Sequence, residues 1–189
     1  MAFFGTHNSV TGEKGYGFKN LFRFFRQTQK YTIIEQAKKG VRYFDIKVRK
    51  TTRGWVCANG SWETKKTFQE IIREISYNTI YENVYLSITY EGCLPKELTE
   101  KDFLRFIKKN IKKYDNLTLY SVSEKYKRSK RKLGKNPIWT RGGLTLIENY
   151  TQFSFIKPFP PIPYFWKKEN PEEIPSNDKT IIIVDFYDK

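Results

Sequence analysis

One histidine, two cysteines and one methionine in 189 residues close off several kinds of chemistry at once. Two cysteines, Cys57 and Cys93, are too few for a disulfide framework, so free thiols in a reducing compartment are expected. With His7 as its only imidazole, the chain cannot run a reaction that needs two of its own histidines, nor build a histidine-rich metal centre. Long apolar runs are missing as well. None approaches the roughly 20 residues that span a bilayer. The opening Met1-Ala2-Phe3-Phe4 falls far short of an export segment of about 7–15 apolar residues. A soluble protein, cytoplasmic or peripheral to a membrane, is the expectation. Acidic residues are scarce too: 20 against 35 Lys and Arg give a net charge of +15. Such a field favours phosphate esters, acidic lipid surfaces or nucleic acid, without choosing among them. The basic residues concentrate in 101–135, above all Lys125–Lys132, either as a solvated face or as a docking patch for an anionic membrane. Nucleic acid ranks lower because no motif for it is present.

What the chain does have is a real core, with 39% hydrophobic and 17% aromatic residues. That suffices for a single domain over 1–189, yet is short for a full eight-unit barrel of about 250 residues. Phe3-Phe4 opens a short buried strand. Phe18–Phe25 is aromatic and basic, as in a short packing or membrane-touching helix. Helical spacing predicts helices over Thr28–Lys39 with Thr28 as cap, over Thr64–Tyr77, and from the cap Thr99 to about Lys113. Strands are expected at Val41–Val48, Trp55–Cys57, Asn83–Tyr90, Leu117–Tyr120, Gly143–Asn149 and at the end of the chain, 180–188. Residues 150–178, rich in proline and aromatics, read as irregular. Their aromatics at Phe153–Trp166 either close the core or meet a lipid interface. Alternating strands and helices predict an α/β fold with a parallel sheet, curled into a small, trimmed or distorted TIM-type barrel.

Polar residues fall where those strands end: His7 and Asn8 after the first, Asp45 and Lys47 in the second, then Asn59, Glu91 and Asp185. In parallel barrels, catalytic groups gather at the carboxyl ends of strands. A carboxylate directly after Ile181-Ile182-Ile183-Val184 also needs a partner, because burying it alone is costly.

Gly5-Thr6-His7-Asn8-Ser9, Gln27–Gln36 (QTQKYTIIEQ) and Gly40–Lys47 (GVRYFDIK), in that order and spacing, resemble the opening of the phosphatidylinositol-specific phospholipase C X domain. Tyr85–Glu91 (YLSITYE) is similar to that family's third strand, Arg141–Tyr150 (RGGLTLIENY) to a strand that begins with Arg-Gly, and Ile183–Phe186 to its last strand. The resemblance implies a phosphodiesterase acting on a phospholipid or related phosphodiester. His7 would take the proton from the attacking hydroxyl, Asp185 would orient it, and Asp45 would be the acid of the second strand. It also implies phosphate contacts from Lys47 with Arg42 or Arg141, and oxygen groups at Asn8 and Glu91.

Two departures qualify that inheritance. Relatives protonate the leaving oxygen with a second histidine, in a His-Gly pair that reads Asn59-Gly60 here. Asn cannot donate a proton to an alkoxide, and losing a general acid costs about 10²–10⁴ in rate, roughly 3–5 kcal/mol of barrier. A nearby Lys or Tyr is needed in its place, and the sequence does not single one out. Calcium-dependent relatives carry an acidic ligand where this chain has Lys47, and calcium wants six to eight oxygens. No cofactor is therefore expected, with the lysine as built-in cation. Thr89 and Glu148-Asn149 also differ from the family's head-group residues, so inositol specificity does not carry over. Two readings stand: an active phosphodiesterase, and a catalytically inactive domain of the same fold that binds anionic lipid or phosphate or plays a structural role.

Overall fold

The computed structural model describes residues 3–17, 28–123, 138–141, 144–149 and 180–184, with side chains for 4–17 and 28–120. Nine strands and three α-helices succeed one another along them. The strands are β1 (Phe3–Thr6), β2 (Val41–Thr51), β3 (Gly54–Asn59), β4 (Trp62–Thr67), β5 (Val84–Tyr90), β6 (Leu117–Ser123), β7 (Ile138–Arg141), β8 (Leu144–Asn149) and β9 (Thr180–Val184). The helices are α1 (Ile33–Lys38), α2 (Phe68–Asn78) and α3 (Glu100–Ile111), and a 3₁₀ turn occupies Ser9–Gly12.

β2 organises the sheet. Its odd-numbered residues Asp45, Lys47 and Arg49 are half-buried, while Phe44, Ile46 and Val48 are fully buried. This period of two gives the strand one polar and one apolar face. One edge of β2 pairs in parallel with β5 over Tyr43–Val48. The other edge is shared: β1 runs parallel to its first half, and β3 runs antiparallel to its last four residues. Parallel ladders continue outward from β5 to β6, from β1 to β9 and from β9 to β8. Six parallel strands thus lie in the order β6-β5-β2-β1-β9-β8, with β7 antiparallel on β8 and the β3–β4 hairpin beside β2. The α/β expectation holds. Closure does not follow: no ladder joins β6 to β7 among the described residues, and the sheet is open.

The apolar side of the sheet carries the core. Phe44, Ile46, Val48, Leu86 and Ile88 pack in one cluster with Ile33 and Ala37 of α1, Phe68, Ile71, Ile72 and Ile75 of α2, and Phe103 and Ile107 of α3. Trp55 extends it, stacking on Phe106 at 4.3 Å between ring centroids. Each helix starts at a reciprocal capping box: Thr32 with Glu35, Thr67 with Glu70, Thr99 with Asp102. Only the last cap is the one expected. Thr28 does not cap α1, because its own N–H and that of Gln29 both donate to Thr11 Oγ1 at 3.0 Å, which holds this stretch extended against the 3₁₀ turn. Thr64 does not open α2 either. It belongs to β4, where its hydroxyl accepts from Cys57 N at 3.2 Å, and Trp62 beside it is wholly buried. The readings of Phe18–Phe25, the basic run Lys125–Lys132, the irregular segment 150–178 and the chain end beyond Val184 fall outside the described residues.

Candidate active site

β1 ends at Thr6, and the chain turns immediately through His7 and Asn8. Asn8 takes a left-handed conformation, φ 46, which asparagine tolerates better than most side chains. The turn is tied down from several sides. Thr6 Oγ1 donates to Gln36 Oε1 at 2.7 Å, and Gln36 Nε2 donates to Ser9 O at 2.7 Å. The His7 carbonyl accepts from Thr28 Oγ1 and from Gln29 Nε2, each at 3.0 Å. Thr28, Gln29 and Gln36 are thus the clamp of the His7 turn. Their only signal in the sequence was the QTQ…Q spacing, because the role of a buried glutamine depends on which carbonyls the fold brings to it.

So fixed, the His7 side chain is 11% exposed and places Nε2 3.9 Å from Asp45 Oδ2. The same carboxylate oxygen accepts from the Asn8 N–H at 3.2 Å. On the other side of the ring, Asn8 Nδ2 lies 3.5 Å from Nδ1. Among the described residues, the buried Asn8 Oδ1 has no hydrogen-bond partner. Burying such an oxygen costs free energy unless a donor arrives.

Two residues further along β2, Lys47 Nζ lies 3.9 Å from Glu91 Oε2. Glu91 Oε1 accepts from the Gly60 N–H at 2.7 Å, and Arg49 reaches across to Gly60 O at 2.6 Å. The Asn59-Gly60 turn, with Gly60 at φ 61, is therefore locked to Glu91. Ser87 and Thr89 of β5 stand in register with Asp45 and Lys47, extending the same polar face. A parallel sheet ordinarily buries both faces under apolar layers. Here polar groups line one face toward the carboxyl ends of the strands, where parallel sheets hold their chemistry.

His7, Asn8 and Asp45 are in mutual contact, and Lys47, Glu91 and the Asn59-Gly60 turn form a second group on β2 and its neighbours. Two expected phosphate contacts are placed elsewhere. Arg42 shares the parity of Phe44 and Ile46. Its guanidinium forks onto Glu82, with Nε 2.6 Å from Oε2, and donates to Ala37 O and Val41 O at 2.7 Å. The hydrogen bond from Arg42 holds the Glu82 carboxyl below its ordinary range, so the pair is a structural clasp. Arg141 ends β7 rather than opening β8, and it pairs with Leu144 at the amino-terminal end of β8. The ladders Asn149↔Val184 and Val184↔Thr6 set the His7 turn at the opposite end of the sheet. Asp185 lies outside the described residues, directly after the Val184 that pairs with Thr6. Burial and the nearby Glu13 push the thiol of Cys57 up, which makes it inert.

Among the described residues no group of three or more His, Cys, Asp or Glu side chains could hold a metal ion. The oxygens at hand suit calcium poorly: Asp45 serves His7 and Asn8, Glu91 serves Gly60, and the Lys47 ammonium stands on Glu91.

No family model and no curated protein matches the chain. Solved structures do. A variant of the phosphatidylinositol-specific phospholipase C from Staphylococcus aureus superposes with a TM-score of 0.56 at 14% identity, over 79% of this chain and 61% of that one. A pentafluoro-Phe-containing form of the same enzyme gives 0.54 at 15%, over 79% and 62%. A structure concerned with modulation of that enzyme's membrane binding gives 0.52 at 15%, again over 79% and 62%. The chain spans about three fifths of the length of these proteins. These superpositions lead to one conclusion: the chain has the fold of the bacterial phosphatidylinositol-specific phospholipases C.

Proposed function

We propose that the protein is a phosphodiesterase of the phospholipase C kind, in which His7 removes the proton from a hydroxyl attacking phosphorus. The observation that carries this reading is the His7 imidazole, shielded and set against the Asp45 carboxylate where β1 ends, with the Lys47 cation two residues further on. A base held by a carboxylate is the usual arrangement for activating a hydroxyl. Lys47 supplies positive charge for the phosphate oxygens, the task a calcium ion performs in other enzymes, so turnover without metal is part of the proposal. To Asn8 Oδ1, buried and without a donor among the described residues, the proposal assigns a hydroxyl of the substrate. In this proposal Asp185, outside the described residues, is the carboxylate that orients His7.

The test is a release assay on several phosphodiesters, among them a phosphatidylinositol and an aryl ester with a good leaving group, in chelator. Wild type is expected to turn over at least one and His7→Ala none. A folded wild type that cleaves no substrate would leave the alternative, a domain that binds phosphate or anionic lipid without chemistry. Asn59 at the place of the relatives' second histidine favours that alternative. Binding to an acidic membrane through 101–135 belongs to the same proposal. The part of that stretch with described side chains, α3 and the turn after it, exposes Lys101, Arg105, Lys108, Lys109, Lys112 and Lys113.

A further inference from the structure

Cleaving a phosphodiester leaves one proton-transfer task without an owner. His7 is the only imidazole and is set as the base. An alkoxide leaving from phosphorus needs a proton from elsewhere, and an asparagine amide cannot provide it. The donor must be protonated at neutral pH, share the polar face with His7, and stand about one phosphate away. Arg42 fails because it lies on the other face, clasped to Glu82. Arg49 is committed to Gly60 O and Glu63, and a guanidinium holds its protons too firmly to be a good donor in any case. The Tyr90 hydroxyl is buried against Lys50 N.

Lys47 meets the three requirements. It follows Asp45, the partner of His7, by two positions on one strand, hence about 6.6 Å along the same face. With His7 standing on Asp45, that spacing between Asp45 and Lys47 is on the order of the width of a phosphate. Its side chain is 12% exposed and rests on Glu91 Oε2, while the other oxygen of Glu91 is fixed by the Gly60 N–H. Through this one carboxylate the ammonium is tethered to the Asn59-Gly60 turn.

We propose that Lys47 is the proton donor to the leaving oxygen, an inference that rests on the phosphodiesterase reading above. The attacking hydroxyl gives its proton to His7 as its oxygen bonds to phosphorus. The bond from phosphorus to the leaving oxygen breaks, and its electron pair stays on that oxygen. One Lys47 Nζ–H proton goes to it, releasing an alcohol. His7 is left as imidazolium and Lys47 as free amine, and transfer of one proton from His7 to Lys47 through solvent resets both. No oxidant, metal or further reactant enters.

A matched pair of substrates tests this: the 4-nitrophenyl and n-butyl esters of myo-inositol 1-phosphate, with the same pair built on glycerol 2-phosphate. Nitrophenolate leaves without a proton, and butoxide does not. Lys47→Arg keeps the charge and removes the ready donor, so it is expected to lower butyl-ester turnover about 10²–10⁴-fold more than nitrophenyl-ester turnover. His7→Ala is expected to lower both alike. Equal losses on the two esters in Lys47→Arg would overturn the donor role while sparing the phosphodiesterase reading. Wild-type inactivity on every ester would overturn that reading, and the donor role with it. Residual nitrophenyl-ester turnover shows that the variant is folded.

Discussion

Asn8 and Gly12 show how much of the site is decided one residue at a time. Asn8 bears a left-handed backbone so that its N–H reaches Asp45 and its amide reaches His7. Asn8→Gly relieves that backbone and deletes the amide. Stability is expected to hold within about 1 kcal/mol in denaturant titration, while turnover falls. Gly12 answers to a different constraint: a Cβ there would sit 1.8 Å from the Tyr31 carbonyl oxygen, a backbone atom that cannot swing away. Gly12→Ala is expected to destabilise by about 1–3 kcal/mol, the range for forced overpacking, and to loosen the His7 turn with it. Arg42 carries the reverse lesson. The sequence marks it as a candidate phosphate ligand, whereas its fork, two backbone carbonyls and Glu82 make it part of the scaffold. Arg42→Met is expected to lower the denaturation midpoint with no specific change in substrate KM.

Among the elements, the three helices were legible because each carries its own start signal. Thr–x–x–Glu or Thr–x–x–Asp precedes an apolar stripe in every case, and local chemistry of that kind survives any tertiary arrangement. Which threonine caps was legible only for α3. At α1 and α2 the earlier threonine was drawn away by another partner, Thr11 across the turn for Thr28 and Cys57 across the β3–β4 hairpin for Thr64. Thr67→Ala is expected to cost about 1 kcal/mol by thermal unfolding. Hydrogen bonds from the capping threonines hold the Glu35, Glu70 and Asp102 carboxyls below their ordinary values, as the bond from Arg42 does for Glu82. Groups lowered on folding contribute stability that is whole above the unfolded value of about 4 and is lost as pH falls through the folded value. The melting temperature should therefore decline below about pH 4.5, and Glu70→Gln should flatten that decline.

On the scale of the molecule, charge and sheet shape matter most. A net charge of +15 with α3 presenting an outward row of lysines predicts sedimentation with vesicles containing phosphatidylserine and not with phosphatidylcholine alone. That binding should weaken steeply as salt rises from about 50 to about 500 mM, the upper value shortening the screening length to about half that at 0.1 M. Salt-insensitive binding would point to aromatic insertion instead. No helix among the described residues is long and apolar enough to cross a membrane. The open sheet, with six parallel strands and an antiparallel hairpin at β3–β4, departs from the barrel expected from alternation alone. Alternation fixes that strands run parallel, whereas closure depends on tilt and stagger between strands far apart in the chain.

By itself the sequence determined the α/β class, the apolar stripe of α2, the alternation of β2, and the positions of His7, Asn8 and Glu91 just past strand ends with Asp45 and Lys47 on β2. These are matters of period and local propensity, written in neighbouring residues. Tertiary structure alone decided that β1 and β5 flank β2, so that Asp45 meets His7 and Glu91 meets both Lys47 and the Asn59-Gly60 turn. It also sent Arg42 to Glu82 and Arg141 to the far end of the sheet. A long side chain's partner is set by register and strand order across tens of residues, and no local pattern encodes those.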